Sequence, residues 1–109
     1  MSVLRKANVY IRNHFAGILQ ETDTGYLFQY DPAYLQTNHA SAVSLTLPLQ
    51  AEPFLSHTLF PFFDGLIPEG WLLNIVCRNW KINPTDRFGL LQIACKDCIG
   101  NVTVLGVSL

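Results

Sequence analysis

Phe62-Phe63-Asp64-Gly65-Leu66-Ile67-Pro68-Glu69-Gly70 is the stretch on which the reading of this chain turns. Aromatic and aliphatic residues lead into Pro-Glu-Gly, and a helical pattern follows at once. Pro68 suits a first helical position and Glu69 complements the helix dipole, so a helix is expected from Pro68 to about Trp80. Before it, a shorter helix is expected near Thr58 to Gly65, with Pro61 tolerable only in its opening turn. After it, Asn83-Pro84 repeats the start signal, with Asn83 as N-cap and Pro84 at N1, and a third helix is expected to about Ala94.

Working outward, the remaining segments read as strands. Asn8 to Arg12 is rich in β-branched and aromatic residues. Asn13-His14 offers a two-residue turn. Phe15 to Glu21 follows, with Gly17 marking a bulge or a close backbone approach. Thr22 to Gly25 is a turn in which Gly25 can take positive φ, and Tyr26 to Tyr30 is a strand stopped by Asp31-Pro32. Pro32 to Leu35 could hold a short helical turn. Val43-Ser44-Leu45-Thr46-Leu47 alternates strictly and reads as a strand closed by Pro48. Gln50 to His57 reads as a loop. Asn101 to Val107 is a final apolar strand. Strands and helices are segregated, which favours an α+β domain: a small antiparallel β-sheet with about three helices packed against it.

A chain of 109 residues forms a single domain, 1–109. Half of it is apolar, enough to bury a core. Seven Lys and Arg against eight Asp and Glu give a net charge of −1. Arg5-Lys6 is the only adjacent basic pair, so direct nucleic-acid binding is not expected. No apolar run reaches the roughly 20 residues that span a bilayer, and Met1 to Val9 lacks the apolar block of a signal peptide. A cytoplasmic protein is expected. Only 14% of residues are charged, against about 25% in ordinary domains. Apolar surface is therefore expected to remain after folding, as at a partner interface.

No constellation for chemistry stands out, and no enzymatic activity is expected. Glycine-rich phosphate loops are absent, as is a kinase catalytic-loop pattern. His14, His39 and His57 all fall in expected turns or loops. Asp64 and Glu69 suit capping and turn hydrogen bonds better than acid–base work. Cys95-Lys96-Asp97-Cys98 has redox or zinc-ligand spacing, but no second pair accompanies it. Buried structural cysteines are expected there and at Cys77. Neither a metal nor a cofactor is expected.

On a helical wheel, Leu72, Ile75, Val76 and Trp80 share one stripe. Trp71 lies away from it, beside Asn74 and Arg78. A tryptophan on a polar flank either enters a partner's pocket or is covered by a loop of its own domain. Trp and Arg are the residues most enriched in interface hot spots. Trp71, Glu69, Asn74 and Arg78 are the candidate partner-binding residues.

Several motifs recur in one order: the strand pair around Gly17, Phe28 to Tyr30, Ser44-x-x-x-Pro48, Phe62 to Gly70, Asp86-x-Phe88-x-Leu90-Leu91 and Asp97-x-x-Gly100. Together, from about Val9 to Val104, they resemble the N-terminal subdomain of HipA-type serine/threonine kinases. The resemblance implies a small curled antiparallel sheet with helices packed against it. Those kinases continue into a catalytic core, whereas this sequence ends at Leu109, so none of their catalytic residues carries over. It is similar to the small antitoxin subunit (HipS) of tripartite HipBST toxin–antitoxin systems, which supplies this subdomain to a kinase lacking it. The resemblance implies an antitoxin that binds and neutralises a HipA-like serine/threonine kinase toxin. A helix-turn-helix DNA-binding protein is expected in the same complex. Two alternatives stand beside it: an excised kinase subdomain with no inhibitory role, and an unrelated redox or metal protein built on Cys95 and Cys98.

Overall fold

The computed structural model describes residues 3–67, 77–79, 81–83, 85–94 and 102–107. Five strands form one open antiparallel sheet: β1 (Val3–Ile11), β2 (His14–Thr22), β3 (Gly25–Tyr30), β4 (Phe54–Ser56) and β5 (Val102–Val107). Their order across the sheet is β4-β3-β2-β1-β5. The last strand thus returns to pair with the first. Among the described residues, besides a helical stretch at 77–79, the short helices are α1 (Pro32–Leu35), α2 (Pro61–Asp64) and α3 (Arg87–Ala94). The α+β class read from the sequence is the one observed.

The β1–β2 hairpin turns on Arg12-Asn13, one residue earlier than the expected Asn13-His14. Both residues have positive φ, 50° and 68°, the requirement of the tight two-residue turns whose twist matches a hairpin. His14 instead opens β2, opposite Ile11. Further along, Val9 faces Gly17 while Tyr10 faces Phe15, so Ala16 is an extra residue and β2 bulges. Gly17 beside it answers a close approach. A Cβ there would lie 2.4 Å from the carbonyl oxygen of Gln29 on β3. Gly25, at φ 153°, ends the next turn, and a Cβ on it would meet the Ser56 carbonyl oxygen at 2.2 Å.

Period-two burial sets the faces. Ala7, Val9 and Ile11 of β1 point into the core with Leu19, Phe28, Tyr30 and Val104. Phe60, Phe63, Phe88, Leu90 and Leu91 close over them from the helical side. The aromatic centre is tight: Phe28 meets Tyr30 edge-on at 4.9 Å and Phe63 at 5.4 Å.

Helix boundaries follow local chemistry. Asp31 caps α1 by accepting from Tyr34 N at 3.2 Å, with Pro32 in the first turn. α2 starts at Pro61, later than Thr58, because proline is admitted only where the helix opens. Residues 77–79 are helical and stop at Lys81, whose φ is 54°. Ile82 N donates back to Cys77 O at 3.1 Å, a Schellman-type stop near the expected end of that helix. α3 begins at Arg87 rather than at Asn83. Asn83 instead caps a separate turn by accepting from Thr85 N, while the Asp86 carboxylate accepts from Gly89 N and opens the helix.

Two strand assignments differ. Val43 to Leu47 is not a strand: Ser44 and Leu47 form an isolated bridge across a tight turn. The fourth strand is Phe54–Ser56, inside the expected loop, and pairs with Tyr26 to Phe28.

Candidate interaction surface

The signature residues prove to be builders of the interior. Phe63 is fully buried, Phe62 packs on it at 5.2 Å, and Ile67 closes the segment. The Asp64 carboxylate accepts from Arg87 Nε at 2.7 Å, tying α2 to α3. That ion pair, rather than a cap, is its role. Asp86-x-Phe88-x-Leu90-Leu91 behaves likewise, with Phe88, Leu90 and Leu91 fully buried.

An ionic knot joins this helix to the sheet. The Arg5 guanidinium donates to both Glu21 oxygens at 2.7 and 2.9 Å, and to both Asp86 oxygens at 3.0 and 2.7 Å. It also lies 5.2 Å from the centre of the Phe88 ring, on which Tyr26 stacks. Glu21, then Asp86, hold Arg5 more firmly protonated than usual. Arg5 in turn holds the Asp86 carboxyl below its ordinary range, helped by the Gly89 N–H and opposed by burial. Burial, with Glu21 nearby, pushes the Tyr26 hydroxyl up. The cleft beside this knot, about 450 Å³, is lined by Tyr26, His57, Leu59, Asp64 and Arg87. Asp64 and Arg87 are bonded to each other there, which makes it a structural seam rather than a charged binding site.

The turn at Ser44–Leu47 is different in kind. Buried Tyr30 holds its base with a single hydroxyl, which accepts from Val43 N at 3.0 Å and donates to Leu47 O. Burial raises the pKa of that hydroxyl, against the lowering effect of Val43 N–H. The Ser44 side chain braces the tip by accepting from Thr46 N. Val43 and Leu47 are buried, whereas Leu45 between them is 100% exposed. Leu49, just beyond, is also exposed. An apolar knob is thus presented on a fixed turn. In sequence, Val43, Leu45 and Leu47 alternate as one face of a strand would, whereas the turn buries the outer two and exposes the middle one.

The outer face of the sheet is bordered by Pro32 of α1, beside Phe15, Ile18 and Gln29. It carries Tyr10, Phe15, Ile18, Leu27, Leu55, Leu105 and Val107, interspersed with Asn8, Gln20 and Gln29. Lys6 is the single charged side chain in these rows. Leu55 is 62% exposed. Depletion of charge with retention of aromatics and aliphatics is the compositional mark of a protein interface. The low charge content of the sequence is therefore concentrated here and at the Leu45 turn.

Of the expected partner-binding residues, Arg78 is exposed on the helical segment 77–79. Trp71, Glu69 and Asn74 lie outside the described residues, as do Cys95, Cys98 and the Asp97–Gly100 turn. Cys77 is half-buried and free. The His14 and His39 rings stack 4.1 Å apart, and His57 Nδ1 lies 3.3 Å from Thr24 O. Among the described residues, no three His, Cys, Asp or Glu side chains are grouped to hold a metal ion. Nor is any described helix long and apolar enough to cross a membrane.

Comparison with known proteins places this architecture among relatives. The family profile of the HipA N-terminal domain matches residues 7–105. A solved structure titled the N-terminal domain of HipA toxin superposes with a TM-score of 0.74 at 30% identity, covering 99% of this chain and 97% of that one. An uncharacterized protein of Haemophilus influenzae is 33% identical over 102 residues, covering 94% of this chain and 92% of that protein. A putative kinase of Sinorhizobium fredii, Y4mE, is 29% identical over 103 residues. The match takes in 94% of this chain and only 24% of that kinase.

Proposed function

The chain belongs to the HipA N-terminal domain family, and from that membership we propose that it is a non-catalytic binding subunit. It docks on a HipA-like serine/threonine kinase chain that lacks this domain and neutralises it as an antitoxin. One observation carries the reading: the same unit makes up 92% of a Haemophilus protein and 24% of a putative kinase. A module used in both settings can complete a kinase from outside. A helix-turn-helix DNA-binding protein completes the assembly, which works in the cytoplasm. The 24% share also supports a second reading, in which the domain is an accessory part of a kinase with no inhibitory role.

The docking contacts we assign are Trp71, Glu69, Asn74 and Arg78, and Leu45 on its braced turn. Co-expression with a HipA-type kinase lacking the domain should relieve growth arrest and give a complex on a sizing column. Leu45→Asp should leave the melting temperature unchanged, because the side chain makes no contact to lose. It should weaken kinase affinity by about 1 kcal/mol or more, and Trp71→Ala by about 2 kcal/mol or more. A complex that leaves growth arrest intact selects the accessory reading. Absence of any complex defeats both. A parent complex that neither variant weakens removes the residue assignments alone.

A further inference from the structure

The two edges of the sheet are built differently. The β4 edge is three residues long and follows directly on Pro53. The β5 edge runs six residues, Val-Thr-Val-Leu-Gly-Val, without charge or proline. Its register with β1 is unbroken from Lys6 opposite Val107 to Ile11 opposite Val102. Natural sheets protect their edges with short strands, charges, prolines or bulges. Among the described residues β4 has two of these devices and β5 has none, nor does a described strand or helix pair with the free side of β5. Such an edge presents a row of backbone N–H and C=O groups that an extended strand can satisfy.

We propose that the β5 edge pairs with the β5 edge of a second copy of this chain, antiparallel about a two-fold axis at Leu105. The two sheets become one continuous sheet, and the interface is isologous, as in most homodimers. Strand parity supports that axis. Centring on Leu105 sets Thr103 opposite Val107 on the outer face and Val104 opposite Gly106 on the inner face, so each pair keeps to one face. Every opposed pair is neutral, and the like-charge repulsion that usually forbids self-pairing is missing. The closest sheet charge is Lys6, one strand in from the edge.

A foreign strand would be selected by charges or side-chain pockets along the edge, and these six residues provide no charge for that selection. What they do provide is a pattern complementary to itself. The inner side of the strand is already covered: a Cβ on Gly106 would lie 2.5 Å from Gln92 Oε1 of α3. Approach is left to the plane of the sheet. On the outer face the two half-buried Leu105 side chains meet at the axis. This adds apolar contact to the backbone ladder.

Sedimentation of the purified chain over a concentration series tests this without any kinase. The parent should dimerise. Leu105→Lys and Leu105→Asp should each weaken dimerisation by about tenfold or more, because like charges meet at the axis. Mixing the two variants should restore association as a heterodimer. In the parent, alternate β5 amides should exchange slowly in the dimer and rapidly on dilution. A parent that stays monomeric throughout overturns the proposal, as does a dimer that neither variant weakens. If the variants do not fold, a parent dimer whose β5 amides remain unprotected overturns it equally.

Discussion

Arg5 is the residue at which sheet and helix layers are fastened together. It spans Glu21 on β2 and Asp86 at the mouth of α3, and its flat guanidinium covers Phe88. Only arginine has a planar fork that can do all three. The pH response follows from Asp86, whose folded pKa lies below its ordinary value of 3.8. A carboxyl depressed in this way stabilises the fold above its unfolded pKa. The contribution is lost as pH falls through the folded value. Thermal melts between about pH 6 and pH 2 should therefore show the parent losing stability more steeply than Asp86→Asn below about pH 4. The variant should be the less stable of the two at pH 6, and the curves should converge in acid. Parallel curves would show that this carboxylate is not the linked group. The pairing itself was not legible in the sequence, because 81 residues separate Arg5 from Asp86.

Among the elements, the first hairpin was legible because its signals are local. Alternating β-branched residues, a turn with Asn, and a glycine where β3 crowds β2 all leave marks in sequence. Gly17 makes this measurable. Gly17→Ala forces a methyl against the backbone oxygen of Gln29 and should cost about 1–3 kcal/mol in denaturant unfolding. An unchanged midpoint would mean that the bulge relaxes freely. The segment Val43 to Leu47 was misread for a physical reason. Its apolar alternation fits a strand face, but the buried hydroxyl of Tyr30, 13 residues from Val43, grips both sides of the segment and holds it as a turn. A side chain so distant in sequence leaves no local signature. Phe54–Ser56 was missed because three residues beside a proline carry too little periodic signal, and its pairing with β3 overrides propensity. The Asp31-Pro32 boundary was legible because proline acts within one turn, whereas α2 opens at Pro61, after the expected Thr58.

At the scale of the whole molecule, net charge and its placement bear on partners. The net charge is −1, and Arg5 and Arg87 are engaged with carboxylates inside the fold. Lys6, Arg12, Arg78, Lys81 and Lys96 are scattered along the sequence and form no run of basic residues to displace counterions from a phosphate backbone. The chain alone should give no sequence-specific gel shift at submicromolar protein in physiological salt. Such a shift would contradict the charge argument, whereas DNA contact through another subunit would not. Charge depletion, read from composition, correctly pointed to exposed apolar surface. It could not place that surface on the outer sheet face or the Leu45 tip, since this depends on which strands neighbour one another. The topology also shapes how the chain comes into being. β1 lies between β2, its immediate successor, and β5, so that Lys6 waits for Val107. On the ribosome, the inner strand is made first and one of its sides stays unpaired until the last strand emerges. Such distant closure slows folding and lengthens the interval in which a bare strand can join the wrong neighbour. That side of β1 can close only once Val107 has emerged.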